Sequence, residues 1–303
     1  MRLSAIRHVA FGRNPQFPDL DGLLGFFTER AAPYHVEVGV APGAPLPGNH
    51  NSYSYLSTRL LAQLTSEPPD LVVIAHALPD CGQSTSISGH VQRFLTGEPM
   101  IFAVSEQGRT TAFTALRTAL ALSRNGTYRR VAVLALDQGT IAFPPDPALA
   151  GLDFATDHTV GLLLTGDGRD ELTALRQLTG ISADSSSGLT AILTTELVKS
   201  AVPAIADREL VFVLGDGLAD DKLGGELIEE LDRSADLAEL YRGRYRIRQA
   251  PMGQLCTAVW SELARELNRS DAAERTVVAA EYDRELGYLS LLRLDVPSSS
   301  GTL

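Results

Sequence analysis

The segment from Ile101 to Asp137 reads IFAVSEQGRTTAFTALRTALALSRNGTYRRVAVLALD, and its pattern decides the fold. A short apolar run ends near Val104, an abrupt polar turn (SEQGR) follows, and an alanine-rich segment has helical spacing. A second apolar run then ends at Asp137. Short apolar runs bounded by turn residues are typical of buried strands. The segment therefore predicts a strand, a sharp elbow, a helix and a second strand.

The same alternation runs along the whole chain. Further apolar, strand-like runs lie at residues 2–11, 70–78, 159–167, 172–181, 209–217, 245–251, 276–282 and 288–294. Segments with helical spacing lie at residues 55–66, 189–201, 223–235 and 257–267. Strands that alternate with helices predict an α/β protein.

The chain also has an internal repeat. The segment AVSEQGRTTAFTAL can be laid over APMGQLCTAVWSEL at a constant offset, and the order of elements around the two segments is the same. The matching pairs are Ala103 with Ala250, Gln107 with Gln254, Thr110 with Thr257, and Leu116 with Leu263. We interpret the chain as two duplicated α/β halves, at residues 1–170 and 171–303, that form one pseudo-symmetric unit.

Composition excludes several classes of function. The chain has 303 residues, 44% of them apolar, and a formal net charge of -11. Because phosphate binding relies on clustered basic residues, we expect neither a nucleic acid nor an anionic membrane as a partner. Two cysteines, Cys81 and Cys256, are too few for a disulfide framework or a structural metal site. We expect a cytoplasmic protein without a bound metal.

With two such halves and an elbow in the first, the chain resembles the thiolase superfamily, and in particular its ketoacyl synthase III branch. The resemblance rests on DLVVIAHALPD, the elbow with its helix, YRRVAVLALD, and FATDHTVGLLL, in which Asp157 matches the family's glycine-rich loop. It implies a five-layered αβαβα fold. It also implies a cysteine nucleophile at the elbow, with a histidine and an asparagine from the second half that stabilise the enolate formed during decarboxylation.

The chain has none of these three groups where the resemblance places them. The corresponding positions are Gly108 or Arg109 for the cysteine, Gly215 or Asp216 for the histidine, and Gly253 or Gln254 for the asparagine. Residues 143–157 also lack the arginine with which members of the family hold coenzyme A. We therefore expect no bound cofactor and a catalytically degenerate site.

Other residues in the chain offer alternative chemistry. Ser105 lies close to the elbow and would need a base, for which His158 and His76 are the candidates. Cys256 occupies the position of the second half that matches Arg109, and it lies near the start of a helix. A buried Arg109 would require a carboxylate, for which Glu106, Asp137 and Asp157 are the candidates.

Loss of three catalytic positions together favours a silent subunit that pairs with an active ketosynthase in polyketide or related secondary metabolism. Acyl carrier protein is a second partner that the resemblance allows. By the same resemblance, residues 79–92 are the candidate interface. The alternative is an acyltransferase that uses Ser105 and acts on acyl thioesters without decarboxylative condensation.

Overall fold

The structure is a computed structural model that describes residues 1–14, 25, 28–29, 32–34, 48–82, 86–140, 155–168, 170–182, 185–202, 208–219, 221–241, 244–269 and 273–298. Its strands are β1 (Arg2–Phe11), β2 (Leu71–His76), β3 (Met100–Val104), β4 (Arg130–Asp137), β5 (Asp157–Thr165), β6 (Asp170–Leu178), β7 (Glu209–Leu214), β8 (Tyr245–Gln249), β9 (Arg275–Asp283) and β10 (Tyr288–Val296). Its α-helices are α1 (Tyr53–Leu64), α2 (Ile87–Phe94), α3 (Thr111–Ser123), α4 (Ser186–Ala201), α5 (Asp221–Arg233), α6 (Ala235–Tyr241) and α7 (Ala258–Leu267). The predicted alternation of strands and helices is present in both halves.

The strands form one hydrogen-bonded ten-stranded sheet in the order β3-β2-β4-β5-β1-β6-β10-β9-β7-β8. Within each half, the strands can be numbered from one to five along the chain. From the outer edge of the sheet inward, both halves then have the same order: third, second, fourth, fifth and first. In each half the second strand runs parallel to the third and fourth, while the fourth and fifth pair antiparallel. Strands β1 and β6 join the halves through the pairs Arg2 with Glu171 and Leu3 with Asp170. The second half of the sheet thus repeats the strand order of the first.

Helices lie in three layers around the two halves of the sheet. Parallel strands buried on both faces read as continuous apolar runs, and β2 illustrates why. Its Val73 packs into the central cluster with α3 and α7, whereas its Val72 packs into an outer cluster with α1. Across the central layer, the ring centroid of Phe113 on α3 lies 4.6 Å from the ring centroid of Trp260 on α7. A second outer cluster packs α4, α5 and α6 against the other half of the sheet.

This layering places the carboxyl ends of β3, β4, β7, β8 and β9 around the first turns of α3 and α7. Carboxyl ends of parallel strands are where α/β proteins commonly build their sites. The predicted elbow lies at the end of β3, and the loops predicted to carry the second-half positions follow β7 and β8. The fold therefore brings the candidate residues of both halves to one region.

None of the helices in the described ranges is both long enough and apolar enough to cross a membrane.

Candidate functional site

The elbow that follows β3 depends on a glycine. Gly108 has a φ of +49°, in the left-handed region, and it begins a short 3-10 turn that leads into α3. A Cβ atom on this residue would lie 1.9 Å from Oδ2 of Asp283. The backbone conformation and this close approach both favour glycine. The predicted turn is thus present, and a carboxylate from the second half lies directly against it.

Arg109, at the position predicted for the nucleophile, is tied to the second half by two carboxylates. Its guanidinium Nη1 forms an ion pair with Oδ2 of Asp216, and its backbone N–H donates to Oδ2 of Asp283 at 2.9 Å. The side chains of Arg109 and Asp216 are 23% and 6% exposed. The backbone N–H of Gly253 also approaches Oδ2 of Asp216, at 3.4 Å. Asp216 lies in one of the three regions that the sequence assigns to the degenerate site. Its carboxylate therefore contacts the other two.

The carboxylates proposed from the sequence as partners of Arg109 were the wrong ones. Glu106 is exposed, and Asp137 accepts from the two residues just before α7. Asp157 accepts hydrogen bonds from the side chain of Asn51 at 2.7 Å and from the backbone N–H of Gly139 at 2.6 Å. The acid that pairs with Arg109 follows β7, a strand that is remote in sequence and adjacent in the fold.

Glu281 on β9 is a third acid in this region, and it is fully buried. Its Oε1 accepts from the backbone N–H groups of Gly217 at 2.9 Å and Tyr282 at 3.0 Å. Burial raises the pKa of Glu281 to about 8; Arg109 acts to lower it and Asp216 to raise it further. The residue therefore holds a proton at neutral pH. Glu281 is absent from the candidates that the sequence suggests, although an acid inside an apolar strand run is an available signal.

Just before each of the central helices, α3 and α7, a carboxylate from the opposite half of the chain accepts backbone hydrogen bonds. Asp283 at the end of β9 accepts from the N–H of Arg109, before α3. Asp137 at the end of β4 accepts from the N–H groups of Cys256 and Thr257, at 2.9 and 2.8 Å, before α7. Arg109 and Cys256 are the residues that the repeat offset matches. Because a helix N-terminus attracts negative charge, each carboxylate satisfies backbone donors that could otherwise bind an anionic group.

We expect Asp137→Asn to lower the free energy of unfolding by about 1–2 kcal/mol, because an amide group is a weaker acceptor for these donors and for the hydroxyl of Thr257. Urea unfolding measures the change. Asp236→Asn, at an exposed position in the first turn of α6, is the matched control and should change stability by about 0.5 kcal/mol or less. Equal effects of the two substitutions would show that the Asp137 contacts do not stabilise the junction between the halves.

Ser105 and the two candidate histidines are not assembled into a nucleophile and base. Ser105 is exposed, and in the described part of the chain no hydrogen bond joins it to either histidine. Nδ1 of His76 lies 2.9 Å from the carbonyl oxygen of Leu78, and burial lowers the pKa of His76. Nδ1 of His158 lies 3.3 Å from Nε2 of His8, on which its ring stacks.

Both cysteines lie in the core. Burial raises the pKa of the Cys256 thiol, and the nearby charge of Asp137 raises it further. Burial likewise raises the pKa of Cys81, which is 2% exposed. A thiol with a raised pKa is a poor nucleophile at neutral pH because the thiolate is the reactive form. The position of Cys256 before a helix therefore does not activate it.

Gln254, the amide nearest to the position expected for asparagine, has a structural role. It is 5% exposed, and its Oε1 accepts hydrogen bonds from the hydroxyls of Thr257 at 3.2 Å and Ser261 at 3.3 Å. These contacts hold the amide against α7. Residues 143–154, most of the segment in which the arginine for coenzyme A was sought, lie outside the described residues.

No model of a known protein family matches the sequence, and no curated protein matches it. Solved structures do match the fold over nearly the whole chain. The chain superposes on AbyA1, a tetronic acid condensing enzyme, with a TM-score of 0.60 at 14% identity, covering 97% of this chain and 99% of the other. For the acyltransferase ChlB3 the TM-score is 0.61 at 16% identity, with 98% of each chain covered.

A third match is the 3-oxoacyl-(acyl carrier protein) synthase III of Pseudomonas aeruginosa, with a TM-score of 0.55 at 14% identity and 98% of each chain covered. At this level of identity the similarity concerns the fold. The chain therefore has the thiolase fold that the sequence resemblance implies.

Proposed function

We propose that this chain is a ketoacyl synthase III-like subunit that performs no condensation itself and acts as the silent partner of an active ketosynthase. The observation that carries the proposal is the ion pair between Arg109 and Asp216 at the predicted catalytic position. A guanidinium stays protonated in proteins and is not a nucleophile. An acyl group therefore has no side chain at this position to which it could be transferred.

The surrounding donors are also occupied. The backbone N–H of Arg109, which follows Gly108 in the elbow turn, donates to Asp283, and that of Gly217 donates to Glu281. Stabilising an oxyanion requires donors that point at a free position where negative charge develops. Asp283 and the protonated Glu281 already fill those positions, and the negative charge of the Asp283 carboxylate would repel an enolate. The site supports a structural role better than acyl transfer.

One edge of the sheet supports a partner of similar fold. In the described residues β3 pairs only with β2, so its outer edge is available to another strand. Met100 on β3 is 44% exposed and Phe94 at the end of α2 is 48% exposed. Unpaired strand edges with apolar side chains are templates for association. Within residues 79–92, the interface predicted from the sequence, Cys81 is buried, so Phe94 and Met100 are better contact candidates.

We place the partner in polyketide or related acyl-chain assembly. This step rests on the matched structures, which are a tetronic acid condensing enzyme, an acyltransferase and a 3-oxoacyl-(acyl carrier protein) synthase III. The partner would supply the intact cysteine, histidine and asparagine. This chain would supply a matching surface and the rigid, ion-paired centre behind it.

Incubation of the purified chain with labelled acyl-CoA and acyl-carrier thioesters, followed by intact mass measurement and digestion, tests the proposal. We expect no adduct on the chain alone, and we expect condensation by a co-expressed ketosynthase only when the chain is present. A label that disappears in Ser105→Ala but persists in Ser66→Ala, an exposed control, would refute the silent subunit and support the Ser105 acyltransferase.

A further inference from the structure

The second outer edge of the sheet, strand β8, is rich in arginine. Arg246 and Arg248 lie on β8, and the exposed Arg244 immediately precedes it. Residues two apart in a strand point to the same face, so these three side chains form one row, which we call the β8 arginine row. Among the described residues β8 pairs only with β7. The row therefore flanks an open strand edge.

A buried carboxylate holds part of this row in place. Glu266 on α7 has a side chain that is 1% exposed, and its Oε1 accepts from Nη2 of Arg246 at 2.8 Å. Nε of Arg248 lies 3.9 Å from Oε2 of the same residue. Glu209 on the neighbouring strand β7 also binds the guanidinium of Arg246. The side chain of Arg246 is fixed by these contacts, which lowers the entropy lost when a ligand binds beside it.

Arg248 is the member of the row best placed to meet a ligand. Its side chain is 44% exposed, and 3.9 Å is too long for a hydrogen bond to Glu266. In the described residues its contact with Glu266 is therefore a loose one, and its guanidinium has five N–H donors. The chain as a whole has a net charge of -11. Because charges are screened over about 8 Å at physiological salt, the local row decides which partner binds there, not the net charge.

The shape of the row selects the class of partner. Its three residues follow the strand at intervals of about 7 Å, and the point on which Arg246 and Arg248 converge is already filled by Glu266, so the row does not surround a position for a single phosphate. The open edge beside them offers backbone N–H and C=O groups to an added strand. We propose that the β8 arginine row binds an extended acidic segment of a partner protein, which adds a strand to β8. This binding would be independent of whether β3 joins a ketosynthase.

A fluorescently labelled peptide of alternating glutamate and valine, with a lysine–valine peptide as the reverse-charge probe, tests the inference. By fluorescence anisotropy with the full chain we expect binding of the acidic peptide only. Its affinity should fall about tenfold when NaCl is raised from about 0.05 M to about 0.3 M. Arg244→Ala/Arg248→Ala should weaken binding about tenfold, while Arg233→Ala, at an exposed position on α5, should not change it.

Circular dichroism would confirm that each variant is folded. Equal binding by the double variant and the wild type would overturn the inference, as would no binding of the acidic peptide. Preference for a single-stranded RNA oligomer would also overturn it. The arginines could instead only prevent the β8 edges of two copies of the chain from pairing. In that case the double variant would self-associate and the wild type would not bind the peptide. A failed test of the ketosynthase partner would leave these outcomes unchanged.

Discussion

Replacing Arg109 by methionine is expected to lower the free energy of unfolding by about 3–5 kcal/mol at neutral pH. The substitution removes the guanidinium that pairs with Asp216 and lies close to Glu281 and Asp283. These three acids are each less than 10% exposed, so they would remain buried together without a positive charge. Methionine keeps most of the volume of the side chain, which makes the lost charge the main change. Urea unfolding at neutral pH measures the effect.

Two further variants separate the ion pair from other effects. Arg117→Met changes an exposed residue on the same helix, α3, and should alter stability by about 0.5 kcal/mol or less. Asp216→Asn introduced into the Arg109→Met background should recover part of the loss, because it removes one of the unpaired acids. If Arg109→Met costs less than about 1 kcal/mol, the ion pair is not the structural centre that the proposed function requires.

Much of the fold could be predicted because its determinants are local. The apolar run at residues 71–75 is buried on both faces in the structure, and the hairpin of β9 and β10 forms where two apolar runs flank a polar turn. Gly108 marked the elbow. The repeat offset matched Arg109 with Cys256, and the structure places equivalent contacts at these two residues: each backbone N–H meets an aspartate from the opposite half.

The chemistry of the site could not be predicted to the same degree, because its contacts are distant in sequence. Arg109 meets Asp216 across 107 positions and Asp283 across 174. Several acids are compatible with an arginine at the elbow, and only the packing of the two halves selects among them. Glu106 and Asp137 were therefore plausible partners in the sequence and are oriented elsewhere in the fold.

Ser105 and the histidines show a second limit. The alternation of strands and helices places His76 and His158 in β2 and β5 near one end of the sheet, but it does not set the direction of a side chain. In the structure His158 contacts His8 and His76 contacts the backbone of Leu78. A nucleophile and its base require a hydrogen bond in a defined geometry, which a pattern of residue types cannot specify.

Stability is expected to fall as pH rises from about 6.5 to about 8, by about 2 kcal/mol, because of Glu281. Its ordinary pKa is 4.5 and its pKa in the folded chain is about 8. Between these values the folded state holds a proton that the unfolded state has released, so the free energy of unfolding decreases with rising pH. Between the two pKa values, 4.5 and about 8, the free energy of unfolding decreases by several kcal/mol in all, at about 1.4 kcal/mol per pH unit. The folded state is half ionised at pH 8, so the decrease levels off about one pH unit higher.

The comparison with Glu281→Gln isolates this residue from other groups that titrate near pH 6.5. Burial raises the pKa of Asp80 to about 6, which adds to the decrease, and lowers that of His8 to about 4, so release of its proton in the unfolded state near pH 6.5 opposes it; both contributions are the same in the two proteins. Glu281→Gln keeps the acceptor for the N–H of Gly217 and removes the proton, so its unfolding free energy should vary little between pH 6.5 and 8.5. Urea unfolding of both proteins across this range measures the difference. If the wild type and the variant have parallel pH profiles, Glu281 is ionised in the folded chain, and the centre around Arg109 holds more negative charge than the geometry of the buried cluster indicates.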